Sequence, residues 1–67
     1  MLAERNGDTI TTILTEGEYL MVLSCLRELI GEMHEKDFPP RIGVSRDVVS
    51  SLALQFGAEL EKLGIEE

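Results

Sequence analysis

The sequence is organised around the stretch LTEGEYLMVLSCLRELIGEM, which covers residues 14–33. Near its start, Thr15 and Glu18 have the spacing of a capping box, in which each side chain accepts a hydrogen bond from the other residue's backbone N–H. Leu14 and Tyr19 flank this pair in the positions of a hydrophobic staple. The two signals together fix the beginning of a helix at the residue after Thr15.

The apolar residues of the stretch recur at helical spacing and predict a helix over residues 16–35. Most of them share one stripe, which we expect to be the core face: Tyr19, Val22, Leu23, Leu26, Leu29, Ile30 and Met33. Three further apolar residues point away from that stripe: Leu20, Met21 and Cys25. One neighbouring helix covers only a limited width, so we expect these three to contact something else.

A second helix is predicted over residues 46–63. Ser45 has the properties of its N-cap, Asp47 places a negative charge in the first turn, and Gly64 follows the last turn as a C′ glycine. Its expected core stripe is formed by Val48, Val49, Leu52, Ala53, Phe56, Leu60 and Leu63, with Leu54 off the stripe.

The connector over residues 36–44 contains Phe38 followed by two prolines. Proline lacks a backbone N–H and disfavours helical geometry in the preceding residue, so the first helix cannot continue through this segment. Phe38 and Ile42 are expected to hold the connector on the core.

A short β segment is predicted over residues 9–13, where β-branched residues are concentrated. The preceding Asn6-Gly7 is a dipeptide typical of tight hairpin turns, so pairing with residues 2–5 is one option. An isolated two-stranded hairpin is marginal in water, and such a hairpin would need packing or a partner strand.

These elements predict a mainly α fold: an antiparallel two-helix hairpin with a short N-terminal β segment, in one small domain over residues 1–67. A domain this small has a marginal core and usually needs a disulfide, a metal or a partner chain. The one cysteine cannot close an internal disulfide, and no Cys/His cluster has zinc-ligand spacing. We therefore expect dimerisation to complete the fold.

The charge balance disfavours nucleic acid as a direct partner. Six Lys and Arg residues against 13 Asp and Glu residues give a net charge of −7, which repels the phosphate backbone. No signal peptide is recognisable at the amino terminus, and no apolar run approaches the roughly 20 residues that a transmembrane helix requires. We expect a cytoplasmic protein that does not bind a membrane.

No catalytic, cofactor or metal site is predicted. Cys25 and His34 are nine residues apart, more than about 13 Å along a helix, and are too distant to act as nucleophile and base within one chain. His34 suits the last turn of a helix because of the helix dipole. The acidic residues match no calcium-binding loop, and we expect them to form solvated helix faces.

Residues 42–49, with Gly43 followed by the capped start of the second helix, resemble the turn and recognition helix of helix-turn-helix proteins. This resemblance implies DNA contacts from Arg41 and Arg46, although the prolines stand where the motif's first helix should lie. A strand followed by two helices is also similar to ribbon-helix-helix repressors, which are obligate dimers. A nucleic-acid-binding regulator of either type is the alternative function.

The function that the sequence favours is a non-catalytic protein-interaction or regulatory role, as a homodimer or as a subunit bound to another protein. The expected interaction surface consists of the apolar residues outside the two stripes: Leu20, Met21, Cys25 and Leu54.

Overall fold

The computed structural model describes residues 1–66, and it is mainly helical with a two-stranded antiparallel sheet at the amino end. Strands β1 (Leu2–Asn6) and β2 (Thr9–Ile13) precede helix α1 (Glu16–Glu32). A 3₁₀ turn (Glu35–Asp37) and the short helix α2 (Phe38–Ile42) lead into helix α3 (Arg46–Lys62). The predicted β segment at 9–13 is confirmed, and it pairs with residues 2–6.

The strands are joined by a two-residue turn whose central residues are Gly7 and Asp8, so the turn lies one position later than Asn6-Gly7. Gly7 has φ +62°, whereas no non-glycine residue among residues 1–66 has a positive φ. Glycine at the first central position is the arrangement of a type II′ turn, whose twist matches that of the flanking strands. The register runs from Asn6 opposite Thr9 to Leu2 opposite Ile13.

The start of α1 is the one that the capping box predicts. Thr15 Oγ1 accepts a hydrogen bond from the Glu18 N–H at 3.1 Å, and Glu18 Oε1 accepts one from the Thr15 N–H at 2.9 Å. The helix ends at Glu32, before the predicted position near residue 35, because Met33 adopts an extended conformation with ψ 137°. Gly31, a weak helix former, lies just before this end.

The first helix stops before the connector, as predicted, but the prolines do not exclude a short helix within it. His34 Nδ1 accepts a hydrogen bond from the Lys36 N–H at 3.3 Å and opens the 3₁₀ turn. Pro39 and Pro40 then lie in the first turn of α2, where backbone N–H groups have no intrahelical acceptor and proline is tolerated. Phe38 is completely buried, as predicted, but Ile42 remains 41% exposed.

The two ends of helix α3 differ in their capping hydrogen bonds. Ser45 occupies the N-cap position, but its side chain makes no cap hydrogen bond. At the other end, Gly64 has φ +73°, and the N–H groups of Gly64 and Ile65 bond to the carbonyls of Glu61 and Leu60 at 3.1 and 3.0 Å. This is the Schellman pattern that the C′ glycine predicts.

The core lies between α1 and α3 and is small. Leu23, Ala53 and Leu60 are buried, and half-buried residues surround them: Tyr19, Leu20, Leu26, Ile30, Phe56 and Ile65. The rings of Tyr19 and Phe56 stack with centroids 4.7 Å apart, and the Tyr19 hydroxyl donates to the Phe56 carbonyl at 3.0 Å. Two helices alone enclose few side chains on all sides, so most apolar residues keep contact with solvent.

Candidate interaction surfaces

The hairpin of β1 and β2 is exposed along its whole length. All ten strand residues are exposed, including the apolar side chains of Leu2, Ile10 and Ile13 at 70%, 70% and 65%. Leu2 and Ile13 stand directly opposite each other in the register and form one apolar cross-strand pair. Two strands without a packed face are marginal in water.

Polar side chains around the turn are occupied within the hairpin. Asn6 Nδ2 donates to Thr11 Oγ1 at 2.8 Å, Thr9 Oγ1 donates to the Asn6 carbonyl at 2.8 Å, and Arg5 Nε donates to the Gly7 carbonyl at 3.2 Å. These bonds stiffen the turn and its neighbouring residues. They leave the apolar side chains and the outer strand edges as the parts of the hairpin that can bind another molecule.

The helices expose further apolar side chains, which the sequence assigned to the core. Val22 on α1 is 39% exposed, and on α3 the exposure is 53% for Val48, 43% for Leu52 and 71% for Leu63. A signal for this was in the sequence: Val48 and Val49 are neighbours, about 100° apart around a helix, and one facing helix cannot cover both. Val49 is buried and Val48 is not.

The four residues predicted to form the interaction surface lie in three different places in the structure. Met21, at 65% exposure, and the exposed Cys25 are one turn apart on α1 and share its outward side. Leu54, at 76% exposure, lines a groove of about 550 Å³ that includes Arg27 and Glu61. Leu20 packs against the core cluster, which corrects the expectation that it points away from the core.

The two arginines named for nucleic-acid binding differ in their surroundings. Arg41 is exposed at the end of α2. Arg46 is partly buried, and its Nη2 donates to the Ile30 carbonyl at 3.4 Å, which ties the start of α3 to α1. Between them Gly43 has φ +96° and ends α2, so a helix does precede the turn that resembles a helix-turn-helix, although it has only five residues.

Within residues 1–66 no group of three or more His, Cys, Asp or Glu residues is arranged to hold a metal ion. In the same part of the chain, no helix has the length and apolarity needed to cross a membrane.

Comparison of the chain with protein-family models, with curated proteins and with solved structures gave no match.

The dimensions of the molecule show how much surface remains uncovered. The accessible surface is 5348 Å², whereas a folded monomer of 7.5 kDa exposes roughly 4,250 Å². The radius of gyration is 13.3 Å, against roughly 10.9 Å for a compact domain of this length. Both differences reflect a flat molecule, with extents of 33 × 32 × 17 Å.

Proposed function

We propose that this chain is a non-catalytic protein-interaction or regulatory domain that works as a homodimer or as a subunit of a larger complex. The observation that carries the proposal is the excess of about 1,100 Å² of accessible surface over a compact monomer of the same mass. A typical specific interface covers about 800 Å² on each partner. The excess is of the size that one such interface would cover.

The contacts between α1 and α3 support the antiparallel helical hairpin as the framework of this domain. Tyr19, near the start of α1, touches Phe56 in the second half of α3, while Ile30, near the end of α1, accepts from Arg46 at the start of α3. Such a pair of helices has two broad sides. The exposed side chains of Met21, Val22, Val48 and Leu52 are available to an associating protein surface.

The proposal is tested by the mass and stability of the chain in solution. Sedimentation equilibrium at micromolar concentration should report about twice the chain mass of 7.5 kDa. Met21→Glu places a charge on the outward side of α1 and should lower the average mass and the melting temperature where that side is buried on association. Met21→Leu is the matched control, because it changes the same exposed residue and keeps it apolar. A monomer at 100 µM that is indifferent to Met21→Glu would contradict the proposal.

A nucleic-acid-binding regulator is the second candidate function, and the arrangement of α2, Gly43 and α3 favours it. Its basic contacts would be Arg41 and Arg46, and the net charge of −7 opposes it. A gel shift with random duplex DNA at low salt separates the two functions. Retarded DNA that returns to its free position in Arg41→Ala would favour the regulator, and unshifted DNA favours the interaction domain.

A further inference from the structure

The two edges of the hairpin differ in charge. Strand β1 carries Glu4 and Arg5 side by side, whereas β2, from Thr9 to Ile13, has no charged residue. Charged side chains on an edge strand discourage the addition of another strand, and an uncharged β-branched edge invites it. The outer edge of β1 is therefore protected against the addition of another strand, whereas the outer edge of β2 is available for it.

The backbone of β2 determines which groups an added strand would meet. In a hairpin with a two-residue turn, the residues that flank the turn form a hydrogen-bonded pair, and bonded and non-bonded pairs then alternate. With Asn6 opposite Thr9, the bonded pairs include Glu4 with Thr11. The N–H and C=O groups of Ile10 and Thr12 consequently point away from β1.

We propose that β2 pairs with β2 of a second copy of this chain, antiparallel and centred on Thr11, so that the dimer contains a continuous four-stranded sheet. This inference rests on the proposed function and names its partner. Around a twofold axis at Thr11, Ile10 of each copy lies opposite Thr12 of the other, and their outward backbone groups bond to each other. The two Thr11 side chains form a cross-strand pair, an arrangement that stabilises sheets.

A second copy fits this edge better than an unrelated strand, because the assembly then stops at two copies. The sheet has the order β1-β2-β2-β1, so both of its outer edges carry Glu4 and Arg5 and oppose further growth. Pairing through β1 instead, centred on Glu4 or on Arg5, would place like charges opposite each other, which destabilises a sheet. A sheet of four strands is also less dependent on other contacts than an isolated two-stranded hairpin, which is marginally stable in water.

The net negative charge of the chain favours a dimer contact that is made by an uncharged strand. Two copies at −7 each repel one another, and a contact made by threonine and isoleucine adds no local repulsion to that field. Because salt screens the remaining repulsion over about 10 Å at 0.1 M, dimerisation through β2 should strengthen with added sodium chloride. An interface held by ion pairs would weaken instead.

A cysteine cross-link tests the register directly in the Cys25→Ser background. The Thr11 residues of the two copies form a non-hydrogen-bonded pair across the proposed axis. The Cα atoms of such a pair lie about 4.5 Å apart, within the range that a disulfide spans. Thr11→Cys should therefore give disulfide-linked dimers in mild oxidant. Glu4→Cys is the matched control, because Glu4 faces Thr11 across the hairpin and is also exposed, yet it should cross-link at least about tenfold more slowly.

A second pair of variants blocks one edge at a time. Thr12→Pro removes an outward N–H and costs the hairpin no hydrogen bond, so the dimer dissociation constant should rise at least about tenfold as two symmetry-related bonds are lost. Ala3→Pro does the same on the β1 edge, opposite Thr12 in the register, and should change the constant less than about threefold. Circular dichroism checks that the helices remain in both variants.

The outcomes separate this inference from the proposed function. A dimer that persists in Thr12→Pro, with equal cross-linking of Thr11→Cys and Glu4→Cys, would overturn pairing through β2 while leaving an interaction domain that uses another surface. A wild-type chain that is monomeric at 100 µM would overturn the β2 dimer. In that case the mass cannot fall further, and the melting temperature of Met21→Glu alone tests the proposed function: an unchanged value contradicts it.

Discussion

The hairpin and the helical layer are built by the same short chain, but they are stabilised by different means. The helices enclose Leu23, Ala53 and Leu60 and lock their ends with a capping box and a Schellman motif. The hairpin has good local geometry, from its turn glycine to its side-chain hydrogen bonds, yet none of its residues is buried. Local signals are therefore sufficient to shape an element, whereas only burial makes it a stable part of a fold.

The largest expected effect comes from the core. Leu23→Ala should destabilise the protein by about 2–5 kcal/mol, because Leu23 is 1% exposed and its truncation leaves a cavity. Leu54→Ala makes the same chemical change at 76% exposure and should stay within about 0.5 kcal/mol. Urea denaturation measures both, and similar losses in the two variants would mean that another surface already covers Leu54.

Replacing a glycine of positive φ should have a smaller effect on stability, of about 1–2 kcal/mol, and the effect should differ between the hairpin and the helices. Gly64→Ala should lower the thermal midpoint of the helical signal, because alanine is strained at φ +73° and this residue closes α3. Gly7→Ala introduces similar strain at φ +62°, but it should loosen the hairpin and change the helical signal little, because no strand residue is buried against the helices. Circular dichroism at 222 nm follows the helices in each variant. A matching drop in Gly7→Ala would show that the hairpin supports the helical layer.

The smallest effect concerns the two helix starts. Thr15→Ala should cost about 1 kcal/mol, because the Glu18 N–H loses its acceptor. Ser45→Ala should cost clearly less, since the Ser45 side chain makes no cap hydrogen bond. The denaturation midpoints of the two variants provide the measurement, and an equal loss would mean that Ser45 caps α3 in solution.

Much of the fold could be predicted from local signals. The capping residues predicted the start of α1, the C′ glycine predicted the end of α3, and the β-branched run predicted β2. Proline was the misleading signal. It was treated as a helix breaker, but Pro39 and Pro40 lie at helix positions that need no N–H donor.

The interaction surface was predicted less well, because exposure depends on what lies across from a residue. Helical periodicity gives the direction of a side chain but not whether that direction is covered. Val22 and Leu52 were placed in the core, yet they are exposed, while Leu20 was placed outside the core and packs against it. Met21, Cys25 and Leu54 are exposed as their positions outside the stripes indicated.

The sequence by itself determined where β2, α1 and α3 begin, because caps and β-branched residues act on the backbone within a few residues of themselves. Only the tertiary structure decided which apolar side chains are enclosed, since burial requires atoms from residues far apart in the chain. Phe38, from a connector with two prolines, is completely buried, whereas Ile10 and Ile13, from a well-formed strand, are 70% and 65% exposed. The packing of two helices leaves those strand residues uncovered.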